Sequence, residues 1–436
     1  MAFDRTRPLR LADFFAAALA ASLPWSTTAT GVLAVLWLLA IVPALDLACL
    51  RRVCLTPAGY LPLVLVGLGA AGMLWADISW AERWNGFGSF LKLLCIPLLL
   101  CHFTISGRGQ HVLIAFLASC VLLLAVSWSL FKWPELPFPV SPRSFGIPVK
   151  DYISQGAMFT VCIFVGAHLA LDCWREGRRY LGLVLISLVL IFLANVFYVA
   201  TSRTSLVVIP ILLVVFGFRF FGWKGATGLI VAFLVLMVVA WSSAGYLRER
   251  VGSLFHEIVN HQPTGVATPA GERLEFWKKS IESIKTSPAF GHGTGSIPDQ
   301  FRRAAAGQTG MAGEASVNPH NQFFVFGIQF GFVGIALLLA MWITHLALFR
   351  ADEFVAWIGI VVVTQNIVGS LFNSHLADFT HGWLYVVGVG VAGGMTLNKF
   401  PTSRDSCQNP DSTWRRRLRL ILPTKRFVRP KPLCDR

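Results

Sequence analysis

Twelve apolar runs, each on the order of 20 residues long, constrain this chain before any single residue is considered. They lie at roughly 11–26, 29–48, 57–75, 86–103, 110–130, 155–173, 180–200, 204–221, 225–243, 322–348, 354–372 and 381–397. Wound as helix, a run of that length matches the hydrocarbon thickness of a bilayer. Only 14% of the 436 residues are charged against 55% hydrophobic, too few to clothe a soluble protein of this size. The expected fold is therefore an all-α polytopic membrane protein with about twelve transmembrane helices. Arg5, Arg7 and Arg10 ahead of Leu11, with Ala17, Ala18, Ala20 and Ala21 behind, also resemble a cleavable signal peptide. We read this first run as a retained span.

Twelve spans put both termini on one side, and basic residues indicate which side. The segments assigned to the cytoplasm hold 23 Lys and Arg, whereas the short outer loops hold five: Arg83, Lys132, Arg143, Lys150 and Arg203. That asymmetry places both termini in the cytoplasm. Four zones follow: spans 1–9 over residues 1–243, a large helical loop over 244–320, spans 10–12 over 321–397, and a basic cytoplasmic tail over 398–436. The loop lies outside, in the periplasm of a Gram-negative cell. In the tail, Arg415, Arg416, Arg417, Arg419, Lys425, Arg426 and Arg429 alternate with leucines and an isoleucine. Such a segment is drawn to anionic headgroups. No aromatic stacking platform accompanies it, so the +15 formal charge points to membrane lipids and not to nucleic acid. The nine cysteines avoid the outer loop and show no zinc-like spacing with histidine, so neither a disulfide framework nor a metal site is expected.

The outer loop concentrates the chemistry. Leu247, Val251, Leu254 and Ile258, then Leu274, Trp277, Ile281 and Ile284, recur at helical spacing and predict two amphipathic helices able to lie on the bilayer. Gly291-His292-Gly293-Thr294-Gly295-Ser296 predicts a tight turn that exposes its backbone. Residues 303–316, rich in Ala, Gly and Ser, are expected to be mobile and able to act as a lid. Asn318-Pro319-His320-Asn321 then opens the tenth span, with Asn318 suited to cap a helix and Pro319 to its first turn. His320 would sit at the positive end of the dipole, which disfavours imidazolium. A neutral imidazole near pH 7 is a candidate general base. Arg203 lies in a very short hairpin between spans 7 and 8, and Arg143 in the proline-rich 131–154 loop. Asn195 and the run Thr364-Gln365-Asn366 should bond between helices, while Lys92 could snorkel outward.

These residues resemble the signature of the O-antigen ligases. The resemblance rests on His320-Asn321 followed after nine residues by Gly331-Phe332-Val333-Gly334, closing a large outer loop. Arg273-Leu274-Glu275-Phe276-Trp277, Ser287-Pro288-Ala289-Phe290-Gly291-His292-Gly293 and Ser202-Arg203-Thr204 resemble neighbouring parts of the same domain, from about residue 200 to 345. The resemblance implies a GT-C-like enzyme of the bacterial inner membrane, working at its periplasmic face. It would take a glycan from undecaprenyl pyrophosphate and join it to a sugar of lipid A-core. His320 would be catalytic. Arg203 and Arg273, with Arg143 as a third, would hold the pyrophosphate through guanidinium forks. Asn321, His292 and Asp378 complete the expected substrate-binding set, with His375 and His381 as further candidates near the last outer loop and Asp378 also suited to pairing with an arginine. Because the carrier pyrophosphate is already a good leaving group, no cofactor and no metal are required. Among the motifs sought, no phosphate-binding Gly-Lys loop, metalloprotease helix or nucleophile elbow is found. An O-antigen polymerase or a protein O-oligosaccharyltransferase would use the same constellation, and a twelve-span transporter remains the alternative from another class.

Overall fold

The apolar runs are helical, and polar residues at their starts set many of the boundaries. The computed structural model describes residues 6–136, 146–260, 262–263, 268–351 and 353–398. Its helices run α1 (Thr6–Ser22), α2 (Thr27–Ile41), the short α3 (Leu47–Cys54), α4 (Pro57–Gly72), α5 (Trp80–Leu91), α6 (Cys95–Ser106), α7 (Gly109–Lys132), α8 (Tyr152–Arg175), α9 (Arg179–Tyr198) and α10 (Arg203–Ser243). The outer segment contributes α11 (Gly245–Val259), α12 (Pro269–Thr286) and α13 (Ile297–Ala305), followed by α14 (Gln322–Leu348), α15 (Phe354–Gly369) and α16 (Phe379–Asn398). Side chains of Ser26, Thr56, Ser79, Asp151, Ser202, Thr268 and Asn321 accept first-turn amides of their helices. Ser79 and Glu82 form a reciprocal capping box. Among the described residues there is no strand.

Among the described residues, seven helical stretches, with α5 and α6 counted as one, are long and apolar enough to cross a membrane, or eight if α3 and α4, bent by 81°, form one broken span. The chain is accordingly a polytopic helical membrane protein. Two glycines interrupt long apolar helices. Gly222, at φ 70°, breaks α10, and Gly217 then lies so close to Ala226 that a Cβ on it would come within 2.4 Å of the Ala226 Cα. The two limbs thus pack side by side, as two separate runs require. Gly331, at φ 60°, breaks α14, where one uninterrupted span was expected. The carbonyls of Pro288 and Ala289 occupy the break, accepting from Phe332 N (2.8 Å) and Val333 N (3.3 Å). A Cβ at Gly331 would lie 2.4 Å from the Pro288 oxygen, and the left-handed backbone excludes most other residues as well.

Into that break fits the glycine-rich turn. The His292 and Gly293 amides donate to Ile328 O (2.8 Å) and Gln329 O (2.9 Å), and Thr294 Oγ1 donates to Gly69 O (2.5 Å). Gly291, Gly293, Thr294, Gly295 and Ser296 are buried, so the expectation of an exposed backbone is corrected: the turn is a plug between helices. One face of α12 docks on α14, burying Phe276, Lys279 and Ser280. Within residues 303–316, expected to be mobile, Glu314 O accepts from Lys279 Nζ (2.6 Å) and Ala312 N donates to Pro263 O (3.1 Å).

Several polar side chains inside the bundle find partners, as hydrocarbon surroundings favour, although Gln365 Oε1 has none among the described residues. Gln155, Asn195 and Ser127 close a three-way network at 2.9–3.1 Å, and Asn366 accepts from Trp342 Nε1 (3.1 Å). Lys92 does not snorkel outward: it is 8% exposed, and its amine donates to the carbonyls of Ala377 (2.9 Å) and Asp378 (2.5 Å). The first run is part of the bundle, with Asp13 bonded to His102 (3.1 Å), Ser106 (2.5 Å) and Arg108 (3.4 Å).

Candidate active site

Short polar turns, not a helix end, position His320. Asn318 Oδ1 accepts from the His320 amide (2.9 Å) and from Ser374 Oγ (2.6 Å), so Asn318 shapes a turn and does not cap α14. The cap is Asn321, whose side-chain oxygen accepts from Phe323 N (2.8 Å) and Phe324 N (3.4 Å) while its amide donates to Leu371 O (3.0 Å). Both ends of the Asn321 side chain are thus engaged with the protein. His320 stands just outside the helix with φ at 52°, a conformation that non-glycine residues adopt at a cost. Gln322 holds the facing loop in place, its Oε1 accepting from Leu376 N (2.9 Å) and Ala377 N (3.0 Å).

That facing loop, 370–378, supplies a residue that sequence reasoning missed. His320 Nδ1 lies 3.2 Å from Asn373 Oδ1, which also accepts the Ser374 amide (2.9 Å). The backbone donor identifies this atom as the amide oxygen, so Nδ1 must carry the proton. Nε2 is left with its lone pair and has no hydrogen-bond partner among the described residues. Phe276 stacks on the ring at 6.3 Å between centroids and 20° between planes. Burial lowers the imidazole pKa first, the Arg273 charge lowers it further, and the Asn373 bond opposes both. Burial and a neighbouring cation thus both bias the ring towards its neutral form.

Glu257 joins the two arginine segments. Its Oε1 lies 3.6 Å from Arg203 Nη2, and its Oε2 accepts the Ala270 amide (2.9 Å) in the first turn of α12. Arg203, which heads α10, also donates to Ser253 Oγ (3.3 Å) on α11. Arg273 lies one turn beyond Ala270, near enough to His320 for its charge to act on the imidazole. One carboxylate therefore ties the start of the Arg203 helix to the start of the Arg273 helix. Arg143 lies outside the described residues.

The remaining candidates fall elsewhere. His292 serves the end of α12, with Nε2 at 2.9 Å from Ser283 O and 3.0 Å from Thr286 Oγ1. Asp378 bonds the amide and Nδ1 of His381, both at 2.8 Å, instead of pairing with an arginine. Burial pushes its carboxyl up, but the His381 bonds and the charges of His381 and Lys92 outweigh that and hold it well below the usual carboxylate range. His375 and His381 stack at 4.0 Å, and Lys150 reaches Leu23 O (2.5 Å) and Thr380 Oγ1 (3.2 Å), its pKa lowered to about 8 mainly by burial. Nothing in the spacing of Asn373 or Glu257 marked them; only their polar character, in the loop 370–378 and on α11, could have hinted at them. Among the described residues, no three or more His, Cys, Asp or Glu gather closely enough to hold a metal ion.

A half-buried imidazole with one nitrogen unbonded among the described residues, and an arginine charge acting on it, thus stand together at the start of the apolar helix α14. Residues 188–339 match the family described as O-Antigen ligase. The match takes in Arg203, Arg273, His292, His320 and Asn321 and ends before Asn373 and Asp378. No curated protein matches the chain.

Proposed function

We propose that this protein is an O-antigen ligase that transfers a glycan from undecaprenyl pyrophosphate to a sugar hydroxyl of lipid A-core. It would do so at the periplasmic face of the bacterial inner membrane, with both termini in the cytoplasm. The observation that carries the reading is the unspent Nε2 of His320, in a ring that burial and Arg273 bias to the neutral form and that the Asn373 bond orients through its other nitrogen. In the reaction, Nε2 takes the proton of the acceptor hydroxyl as that oxygen bonds to the anomeric carbon of the donor. The bond from the same carbon to the pyrophosphate oxygen breaks, and the carrier pyrophosphate leaves with the electron pair. A single displacement inverts the anomeric configuration. Arg273 and Arg203 bind the phosphate oxygens where negative charge grows, and they keep their charge at any working pH. Asn321 holds the start of α14 and so the His320 turn, while His292 and Asp378 support the surrounding elements. Arg143 is assigned to the pyrophosphate on its place in the outer loop alone.

The deciding experiment gives purified protein a carrier-linked glycan and one acceptor at a time. Product on lipid A-core is expected. Product only on another carrier-linked glycan would make the protein a polymerase, and product only on a protein would make it an O-oligosaccharyltransferase. Flux of a labelled solute through proteoliposomes, with no product on any acceptor and no loss in His320→Ala, would support a transporter instead.

A further inference from the structure

A second polar cleft opens beside the site. It has a volume of about 210 Å³ and is lined by Trp75, Asp77, His292, Asp299, Gln300 and Arg303, among others. Two regions far apart in sequence build it: the link between α4 and α5, and the glycine plug with α13. Its charges are already arranged. Arg303 pairs with Asp77 (3.3 Å) and Asp299 (2.7 Å), so the one arginine in the lining faces two carboxylates. A phosphate would meet net negative charge there, and a lipid tail would meet polar walls. The complementary ligand is neutral and rich in hydroxyls. Trp75, 39% exposed, offers an aromatic face, and the exposed Asp77 carboxylate offers acceptors. Gln300 accepts from Ser283 Oγ (3.3 Å) through its oxygen and keeps its amide hydrogens available. Aromatic faces flanked by planar amide and carboxylate groups suit the apolar face and equatorial hydroxyls of a pyranose.

The cleft is coupled to the reacting centre through α12. Phe276 stacks on His320 and meets Phe301, the neighbour of Gln300 on α13, edge to face at 5.6 Å. From Phe276 to Ser283 is seven residues, about 10 Å along the helix axis, within reach of a short oligosaccharide. We propose that this cleft is a saccharide subsite, binding a sugar of the acceptor or of the donor glycan beyond the residue that reacts. The assignment rests on the glycan-transfer reading for the kind of ligand, while its shape and charge stand independently.

Saturation-transfer NMR on the full-length protein in detergent, with core oligosaccharide freed of lipid A and separately with glycan freed of its carrier, tests this. One saccharide should receive magnetisation, lose it in Trp75→Ala and Gln300→Ala, and regain it in Trp75→Phe. The KM of the matching substrate should rise about tenfold with kcat little changed. Response by the core saccharide assigns the subsite to the acceptor, and response by the glycan to the donor. Unchanged NMR signals and unchanged KM for both substrates in Trp75→Ala and Gln300→Ala overturn the proposal. If wild-type protein transfers to no acceptor, the functional reading falls, yet the NMR still decides the subsite. Should Trp75→Ala unfold, Gln300→Ala alone carries the same two outcomes.

Discussion

Two histidines of the outer segment, His292 and His320, stand in loops of similar composition and meet opposite fates. His292 lies in a plug whose amides and hydroxyls are consumed by α4, α12 and the broken α14, and its own Nε2 is taken by Ser283 and Thr286. His320 lies in a turn just as heavily bonded, but there the bonds stop at Nδ1. On the proposed reading, the comparison teaches that a polar loop beside a membrane becomes chemical when its fixed geometry leaves an imidazole nitrogen unspent next to a cation. Where the imidazole is instead turned back to bond a helix end, the same residue types build structure.

The largest effect expected from that contrast is on rate. His320→Ala should cost on the order of 10²–10⁴ in kcat while carrier-lipid binding survives. His292→Ala should leave kcat near the wild-type value and lower thermal stability by roughly 1 kcal/mol for its lost bonds. Single-turnover assays and melting in detergent read the two. Equal rate losses would erase the distinction.

Gly331→Ala attacks the structural loop from its other side. A Cβ 2.4 Å from the Pro288 oxygen on a left-handed backbone should cost about 2–4 kcal/mol, visible as a lowered unfolding midpoint and poor yield. Wild-type melting in that variant would mean the plug is not held as described.

Arg273→Ala and Arg203→Ala should weaken donor binding, each by roughly tenfold or more. Lysine at either position should restore only part of it, because the fork is lost. Equilibrium binding of carrier pyrophosphate measures this, and full rescue by lysine would argue for charge alone.

The acid side of the pH–rate profile offers a finer test with opposite signs. The base works unprotonated, so the rate rises with pH through the His320 pKa, which burial and Arg273 place below 6.5. Asn373→Ala removes a bond that favours the protonated ring, so the rising limb should move to lower pH, with kcat reduced as orientation is lost. Arg273→Ala removes a repelling charge, so the limb should move to higher pH. Shifts in the same direction, or none, would break the assignment of both neighbours. The smallest expected effect is that of a chelator, which should leave the rate unchanged; strong inhibition would reveal a metal requirement.

Much of the architecture was legible along the chain because apolar length and capping chemistry are local. The helical runs and the separation of 204–221 from 225–243 follow from residue type and order. Less legible was the start of α14, where Asn318 and Asn321 are equally plausible caps in one dimension. Asn321 is the cap because Asn318 is drawn into a turn shared with Ser374, 56 residues away. Lys92 similarly reads as a residue that could reach the interface, until the end of a distant loop presents two carbonyls to it.

By itself, then, the sequence determined a helical membrane protein with a basic tail, a large polar loop and a histidine at its close, since these depend on hydropathy, spacing and backbone preference. Tertiary structure alone decided which break in α14 receives the plug, which carboxylate links Arg203 to α12, and which nitrogen of His320 stays free. The reason is physical: a hydrogen bond is satisfied in three dimensions, by whichever group packing brings within reach. The partner of His320 lies 53 residues further along the chain.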